Sequence, residues 1–314
     1  MQIMKNIIPK VSVIISTLNR ADYLVKALDS LNEVQYDNFE VIVVNGPSTD
    51  STSAVLERYK NIRIFEVSQA NLGISRNLAI KHSTGEYLAF IDDDCIPGRF
   101  WLRELVESIS SENVDGVGGM IYDVPTDTFL WERVMSDNFG NVTVSNSSQE
   151  IDRDYSESKK FLYLPTCNAL FKRSSLISVG GFNRYIKYGY DDVEMSFRLI
   201  SNGFHLKYVD SAKVDHYRAP SYIRSEKYEI LDESVYFRSQ IIFVYQSGNP
   251  NNFLENRLFL KKLYLEKKVN LRRRFDLREI TRSEYHQLSR KLMIAKISGQ
   301  LMGLRKRPFL TITD

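Results

Sequence analysis

The chain has 314 residues, of which 43% are hydrophobic and 26% are charged, and its net charge is +3. These values are typical of a soluble globular protein with one large or two modest domains, and they exclude a disordered chain, a collagen-like repeat and a coiled coil as the main architecture. Residues 255–307 contain 16 Lys and Arg against 5 Asp and Glu, so the rest of the chain is acidic. This asymmetry predicts a basic appendage on an acidic body.

Cysteine content and hydropathy indicate the compartment. Two cysteines, Cys95 and Cys167, are too few for a disulfide scaffold and fit a reducing environment. No segment reaches the roughly 18 apolar residues that a membrane-spanning helix needs, and residues 1–10 contain no signal-peptide core. We therefore expect a cytoplasmic protein.

Strand-like and helix-like patterns alternate through the first third of the chain. The predicted elements are strand 11–16, helix 21–32, strand 39–44, helix 50–59, strand 61–67, helix 71–82, strand 86–91 and helix 99–111. This order predicts an α/β fold with a Rossmann-like, mostly parallel sheet and helices on both faces. In such sheets ligands bind outside the carboxyl ends of the strands, so polar residues at strand ends are the first candidates for a functional site.

The pattern changes in the middle of the chain. Residues 123–158 are polar and irregular, and they predict a long loop of the kind that is more often functional than structural. The other predicted elements are strand 114–122, strand 161–172, helix 191–201, strands 204–209 and 213–217, and helices 221–246, 250–269 and 276–298. We therefore predict a domain over residues 1–220 and a basic helical extension over residues 221–314.

Three adjacent carboxylates, Asp92, Asp93 and Asp94, follow the fourth predicted strand. Adjacent carboxylates repel one another unless a cation is near, and Mg²⁺ and Mn²⁺ prefer such oxygen ligands. In an extended segment Asp92 and Asp94 would point to one side and Asp93 to the other. The triplet predicts a metal-binding or ribose-binding turn, and the alternative is a solvated acidic turn that caps the next helix.

Small polar residues follow the first two strands. Residues 16–20 (STLNR) and 45–50 (NGPSTD) could hydrogen-bond a nucleoside, or they could be ordinary turn and cap residues. Neither segment is a glycine-rich phosphate loop, and this absence weakens the case for a dinucleotide-dependent oxidoreductase and for a P-loop enzyme.

Taken in order, several motifs resemble those of the inverting family-2 glycosyltransferases of the GT-A fold. They are STLNR at 16–20, VVNGPSTD at 43–50, NLGISRN at 71–77, FIDDD at 90–94, GGFNRYIKYGYDDVEMSFRL at 180–199 and VDHY at 214–217. The resemblance implies the GT-A form of the α/β fold. It also implies metal-dependent transfer of a sugar from a nucleotide-sugar, expected to be a UDP-sugar, to a saccharide or lipid-linked acceptor in cell-surface polysaccharide synthesis.

The resemblance further implies roles in donor binding. Asp94 and His216 would hold the divalent metal, Mn²⁺ or Mg²⁺, although an isolated histidine is more often structural. The residues implied in the nucleotide-sugar pocket are Thr17, Asn19, Arg20, Asn45, Arg76, Asp92 and Asp93. Asn45 stands where the family often has an aspartate that reads the nucleotide, and an amide can both donate and accept hydrogen bonds. For Arg76 the alternative is a salt bridge that anchors its helix.

Asp191 and Asp192 correspond to the acidic pair that supplies the catalytic base in this family. Asp192 would be the base and Asp191 its companion. The alternative is helix capping, since the helix dipole favours acidic residues at a helix N-terminus. Because the pair comes after the acidic triplet and after Gly180-Gly181-Phe182, we interpret it as catalytic.

Two other functions remain as alternatives. A sugar nucleotidyltransferase would be expected to carry a glycine-rich, basic loop after the first strand, and residues 17–20 contain no glycine. A non-catalytic GT-A-like scaffold would not be expected to keep both acidic pairs.

The basic segment, residues 255–307, interleaves Lys and Arg with Leu, Phe and Tyr. This pattern predicts amphipathic helices that lie on an anionic membrane surface, and hence a peripheral location on the inner face of the cell membrane. The alternatives are packing on the catalytic domain and a contact within a homo-oligomer. We expect no nucleic-acid partner, because no nucleic-acid-binding motif accompanies the basic clusters.

Overall fold

The computed structural model describes residues 8–131, 133–144, 160–220, 233–247 and 253–304. The strands are β1 (Val11–Thr17), β2 (Phe39–Asn45), β3 (Ile62–Glu66), β4 (Tyr87–Ile91), β5 (Cys95–Pro97), β6 (Gly116–Asp123), β7 (Thr128–Trp131), β8 (Val134–Asp137), β9 (Val142–Val144), β10 (Lys160–Leu162), β11 (Asn168–Lys172) and β12 (Leu206–His216). The helices are α1 (Ala21–Leu31), α2 (Thr52–Leu56), α3 (Leu72–His82), α4 (Trp101–Ser111), α5 (Arg173–Ser178), α6 (Asp191–Ser201), α7 (Glu233–Ser247), α8 (Phe253–Asp276) and α9 (Arg282–Gly303).

These strands form two sheets. The larger sheet has nine strands in the order β3-β2-β1-β4-β11-β6-β12-β5, with β7 paired to β6 outside that path. Strands β3, β2, β1 and β4 are parallel neighbours, as are β6 and β12, whereas β11 runs antiparallel between β4 and β6. The smaller sheet, β10-β8-β9, is antiparallel. The predicted α/β fold, a mostly parallel sheet with helices on both faces, is confirmed.

The central strands are covered on both faces. In β1, Val13 and Ile15 face a core layer that includes α1, α2 and α4, whereas Ile14 faces the layer that includes α3, α6 and α7. Successive side chains of a strand point to opposite faces, so a strand buried on both sides needs an uninterrupted apolar run. The polar side chains of β1 and β2 lie at the carboxyl ends of these strands and in one hydrogen-bonded pair near their starts, in which the Ser12 hydroxyl donates to Glu40 at 2.7 Å.

Two helices that begin beside the carboxyl ends of the strands have well-defined starts. The side chain of Asn71 accepts a hydrogen bond from the Ile74 amide at 3.1 Å, so Asn71 caps α3 as predicted. Gly189 and Tyr190, with φ of +69° and +66°, turn the chain into α6 through left-handed backbone. That conformation is rare for a bulky residue, and the Tyr190 hydroxyl is held by the Gly140 carbonyl at 3.2 Å.

The predicted long loop over residues 123–158 is ordered where it is described. Its described part contains β7, β8 and β9, and residues 145–159 lie outside the described ranges. In β8, Val134 and Ser136 are fully buried and alternate with less buried neighbours. A four-residue alternation is too short to be distinguished from irregular polar sequence, which is why the strand was not predicted.

The second half of the chain differs from prediction mainly at element ends. The two predicted strands, 204–209 and 213–217, are replaced by one strand, β12 (Leu206–His216), with an irregularity between Val209 and Lys213. Helix α9 begins later than predicted because Thr281 and Glu284 form a capping box, a Thr-x-x-Glu signal that is readable in the sequence. The predicted helix 221–246 is described only from Glu233, and residues 221–232 lie outside the described ranges.

The helices after residue 220 contribute to the main core. Phe237, Ile241 and Phe243 of α7 are at most 1% exposed and pack with Phe161 and Val193 in one core layer. Helices α8 and α9 add Leu260, Leu271 and Leu292 to that layer. Within the described ranges, none of the helices combines the length and the apolar character that crossing a membrane would require.

Candidate active site

A cavity of about 650 Å³ opens at the carboxyl ends of the central strands. It is lined by residues that follow β1 and β4, by the start of α3, by the start of α6 and by the end of β12. Of the eleven site residues predicted from sequence, ten line it, namely Thr17, Asn19, Arg20, Arg76, Asp92, Asp93, Asp94, Asp191, Asp192 and His216. The cavity therefore brings together residues from five distant parts of the chain.

The three aspartates after β4 form a tight turn rather than an extended segment. The strand ends at Ile91, and the Cys95 amide donates to the Asp92 carbonyl at 3.2 Å. As a result, Asp93 and Asp94 do not point to opposite sides, as an extended backbone would require. Both accept from the same Arg20 nitrogen, at 2.7 Å for Asp93 and 3.2 Å for Asp94.

Burial and nearby charges give these carboxyls different pKa values. Burial raises the pKa of Asp93 to about 6, against the opposing effect of Arg20. Burial would raise the pKa of Asp94 as well, but His216 and Arg20 outweigh it and hold that pKa at about 2. Asp94 is thus the member of the triplet most firmly kept as an anion.

Asp94 and His216 form a pair of donor atoms that suits a divalent cation. The Asp94 Oδ1 atom lies 3.4 Å from His216 Nε2. Within the described part of the chain, Asp94 Oδ1 and His216 Nδ1 are buried and accept or donate no hydrogen bond. Carboxylate oxygen and imidazole nitrogen are ligands that Mn²⁺ accepts. The residues therefore fit the metal that the sequence predicted.

Cys95 is the third potential ligand near this pair. Its sulfur lies within 4.8 Å of the Asp94 and His216 donor atoms. Burial raises the pKa of the Cys95 thiol well above its ordinary value, and only a thiolate is a strong ligand. Cys95 is fully buried and does not line the cavity, so we leave it out of the ligand set.

A short segment after β12, residues 217–220, crosses the acidic turn, and we call it the 217–220 strap. The amides of Tyr217 and Ala219 donate to Asp94, at 2.9 Å to its carbonyl and 2.8 Å to its carboxylate. Arg20 donates to the carbonyls of Ala219 and Pro220 at 3.2 and 3.3 Å. The strap therefore fixes the orientation of Asp94.

Arg218 holds this strap in place and was not foreseen from the sequence. Its backbone is left-handed, with φ of +47°, and its Nε lies 2.6 Å from Oδ1 of the fully buried Asp123. A lone arginine carries no sequence signal of such a conformation, because arginine is not a residue that favours it.

The residues at the ends of β1 and β2 differ in whether they face the cavity. The Thr17 hydroxyl is buried next to the Asp93 carboxylate, and Thr17 lines the cavity. The Asn19 side chain instead accepts from the Thr49 amide at 2.7 Å and joins the two loops. Asn45 does not line the cavity. Its amide donates to Ser53 at 3.1 Å and accepts from Ser48 at 2.7 Å, and the residue is 2% exposed.

Arg76 links the acidic turn to α6. Its guanidinium forms an ion pair with Asp191 and lies 3.5 Å from Asp92. It also lies over the Phe182 ring, 5.2 Å from the centroid. Arg76 thus joins α3 to α6 by a salt bridge and also lines the cavity.

Asp192, next to this ion pair, has an unusual electrostatic environment. Burial first, and then the charge of Asp191, raise the pKa of Asp192 to about 7, while Arg76 opposes the shift. Asp92 adds a further negative charge from the acidic turn. The arrangement yields a carboxyl that takes up and releases a proton near neutral pH and that faces the same cavity as Asp94.

Glu194, on the same turn of α6, has a different role. It binds Arg198 through two hydrogen bonds of 2.8 and 2.7 Å, and the two residues are 1% and 5% exposed. Arg198 also donates to the Gly181 carbonyl at 2.6 Å. This ion pair stabilises α6 without lining the cavity.

Several cavity residues escaped the sequence analysis. They include Gln69, Lys187, Tyr188 and Tyr236. Tyr236 comes from α7, and its ring packs edge-on against Tyr188 with a centroid distance of 5.6 Å. Their separation along the chain hides this contact from any local pattern.

The fold is the one found in GT-A glycosyltransferases. The structure of S. aureus TarS 1–349 in complex with UDP-GlcNAc matches with a TM-score of 0.59 and 18% identity, over 91% of this chain and 80% of that chain. The mannosyltransferase PcManGT from Pyrobaculum calidifontis, in complex with GDP-Man and Mn²⁺, matches with a TM-score of 0.53 and 17% identity, over 95% and 88%. At such identities the likeness establishes the fold.

The chain belongs to Glycosyl transferase family 2, whose pattern it matches over residues 12–180. Glycosyltransferase AglE of Haloferax volcanii is 30% identical over 213 residues, which cover 65% of this chain and 66% of that protein. The chain spans 13% to 66% of the length of the first curated relatives it matches.

Proposed function

We propose that this chain transfers a sugar from a nucleotide-sugar, a UDP-sugar, to a hydroxyl of a saccharide or lipid-linked acceptor in cell-surface polysaccharide synthesis. The reaction depends on a divalent metal and inverts the anomeric centre. The observation that carries the proposal is that Asp94 and Asp192 line one cavity, one kept anionic and the other with a pKa near neutrality. A shared cavity lets one site bind a charged donor and activate an acceptor.

Asp94 and His216 would hold Mn²⁺ or Mg²⁺ in this site. When bound, the ion neutralises charge on the diphosphate of the donor, as a Lewis acid does. Arg20 keeps Asp93 and Asp94 together, so the ligand set is organised in advance. Thr17 and Asp92, which both line the cavity, would contact the nucleoside.

Asp192 would accept the proton of the acceptor hydroxyl. A hydroxyl is a weak nucleophile at neutral pH, and a positioned base typically contributes about 10²–10⁴ in rate. A base works best when its pKa lies near the working pH, and Asp192 meets that condition. Asp191 and Arg76 would keep it in place. In-line attack from the face opposite the leaving diphosphate inverts the anomeric centre.

The relatives support this proposal by their names and ligands. AglE is named a glycosyltransferase, TarS was crystallised with UDP-GlcNAc, and PcManGT with GDP-Man and Mn²⁺. The donors in these two structures differ in their base, so the proposal that this chain uses a UDP-sugar rests on the sequence resemblance.

The test is a donor panel. Purified protein would be incubated with UDP-, GDP- and dTDP-sugars in Mn²⁺ or in EDTA, with release of the nucleoside diphosphate as the readout. We expect release from UDP-sugars in Mn²⁺ only, with transfer of the sugar to water, and NMR of the freed sugar in the first minutes, before it mutarotates, should reveal an inverted anomer. Release that is equal in EDTA, a retained anomer, or synthesis of a nucleotide-sugar from a nucleoside triphosphate and a sugar phosphate would each contradict the proposal.

A further inference from the structure

The C-terminal helices expose an unusual amount of apolar surface. Every described large apolar side chain that is at least half exposed lies between residues 254 and 304. The ten residues are Leu254, Leu258, Leu265, Val269, Leu277, Met293, Ile294, Ile297, Leu301 and Leu304. Exposed apolar residues scattered singly are ordinary, but a concentration on neighbouring helices marks an interaction surface.

On α8 these side chains form one stripe. Leu254, Leu258, Leu265 and Val269 are between 50% and 69% exposed. With about 100° of rotation per residue, these four fall within an arc of about 60°, and the stripe from 254 to 269 is about 22 Å long. We call them, together with the exposed basic residues Lys261, Lys262, Arg272 and Arg273 that lie among or beside them, the α8 outer face.

The opposite side of α8 packs against the rest of the protein. Leu260 and Leu271 are 4% and 6% exposed and belong to the main core. Lys267 on that side pairs with Glu233 of α7 at 2.7 Å. The apolar residues of the α8 outer face are therefore not needed to hold the helix on the protein.

The charge of the α8 outer face is strongly positive. Lys261 forms no ion pair with the described residues, and Lys262 reaches only Glu266, at 3.9 Å. Arg272 pairs with Asp276 at 3.0 Å, and Arg273 only donates to the Asn270 amide oxygen at 3.3 Å. The surrounding segment, residues 255–307, has a net charge of +11. The surface thus offers apolar side chains and uncompensated positive charge together.

We propose that the α8 outer face binds the surface of an anionic lipid membrane. A membrane interface accepts apolar side chains at the acyl boundary and basic side chains among anionic headgroups. A second copy of this chain would place like charges opposite each other in a two-fold contact, and nucleic acid would leave the leucines in water. None of the residues of this face lines the catalytic cavity, so membrane binding and sugar transfer can be tested separately.

The test is co-sedimentation of the full chain with phosphatidylcholine vesicles that contain or lack phosphatidylglycerol. We expect binding to the anionic vesicles alone and weaker binding at high salt. Each basic side chain at an anionic surface contributes roughly fivefold in affinity, so Lys261→Gln with Arg273→Gln should weaken binding about 30-fold. The pair Arg58→Gln and Lys60→Gln, exposed beyond α2, changes the net charge equally and should leave binding unchanged.

A second variant tests the apolar part of the face. Leu258→Ser with Leu265→Ser should also reduce vesicle binding, while its thermal melting and its donor turnover stay as in the wild-type protein. Absence of binding to anionic vesicles would overturn the proposal. The proposal would also be overturned if the wild-type protein self-associated or bound duplex DNA and the serine variant lost that binding but still bound vesicles. Because donor turnover should be unchanged in these variants, a failure of membrane binding can be distinguished from a failure of the proposed sugar transfer.

Discussion

The pH dependence of turnover tests the role proposed for Asp192. Burial and the neighbouring Asp191 charge raise the pKa of Asp192 to about 7. A general base must be ionised before it can accept a proton. The ionised fraction of such a group rises about tenfold between pH 6 and pH 8, so kcat/KM should rise about tenfold over that range and level off above it.

The variant Asp191→Asn tests whether the Asp191 charge raises the pKa of Asp192. It removes the negative charge beside Asp192 and leaves Arg76 without its buried partner. Both changes favour ionised Asp192, so the rising limb of kcat/KM should move to lower pH. Asp22→Asn, an exposed change on α1, is the matched control and should keep the wild-type profile. The assay is the initial rate of nucleoside diphosphate release, and a flat profile between pH 6 and pH 8, or an unmoved limb in Asp191→Asn, would refute the reasoning.

The strap and α6 provide two stability tests by chemical denaturation. Arg218→Ala breaks the ion pair with buried Asp123 and should lower the free energy of unfolding by about 3 kcal/mol. This value is near the lower end of the cost of breaking a buried ion pair, because the Arg218 side chain is 23% exposed. Arg218→Gly should be about 1 kcal/mol more stable than Arg218→Ala, because glycine accepts the left-handed backbone at this position; equal stability of the two variants would contradict that role. Glu194→Gln leaves Arg198 as a buried charge with no carboxylate and should cost about 3 kcal/mol; an unchanged denaturation midpoint would contradict it.

The parts of the fold that the sequence predicted well are those with strong local signals. Strands β1, β2 and β4 are mostly apolar because they are covered on both faces, and their predicted ends lie within one residue of the observed ones. Helix α6 was predicted over residues 191–201, as observed. The acidic residues at its start and the apolar spacing behind them point to the same boundary.

Features set by distant contacts could not be predicted in this way. The turn at residues 92–94 depends on Arg20, which lies more than 70 residues earlier in the chain. Asn45 is the last residue of β2, one residue beyond the predicted strand end, and its side-chain amide is hydrogen-bonded to Ser48 and Ser53. The inward direction of this side chain, and the contact between Tyr188 and Tyr236, follow from tertiary packing, which no local spacing encodes.

The most direct test of the central claim separates donor binding from catalysis in one experiment. Calorimetric titration of UDP in the presence of Mn²⁺ would be paired with turnover of the donor for the wild-type protein, Asp94→Ala and Asp192→Asn. The structure predicts that Asp94→Ala loses metal-dependent UDP binding, whereas Asp192→Asn binds UDP as the wild-type protein does and loses turnover by about 10²-fold or more. Near wild-type turnover in Asp192→Asn, or unchanged UDP affinity in Asp94→Ala, would contradict the account.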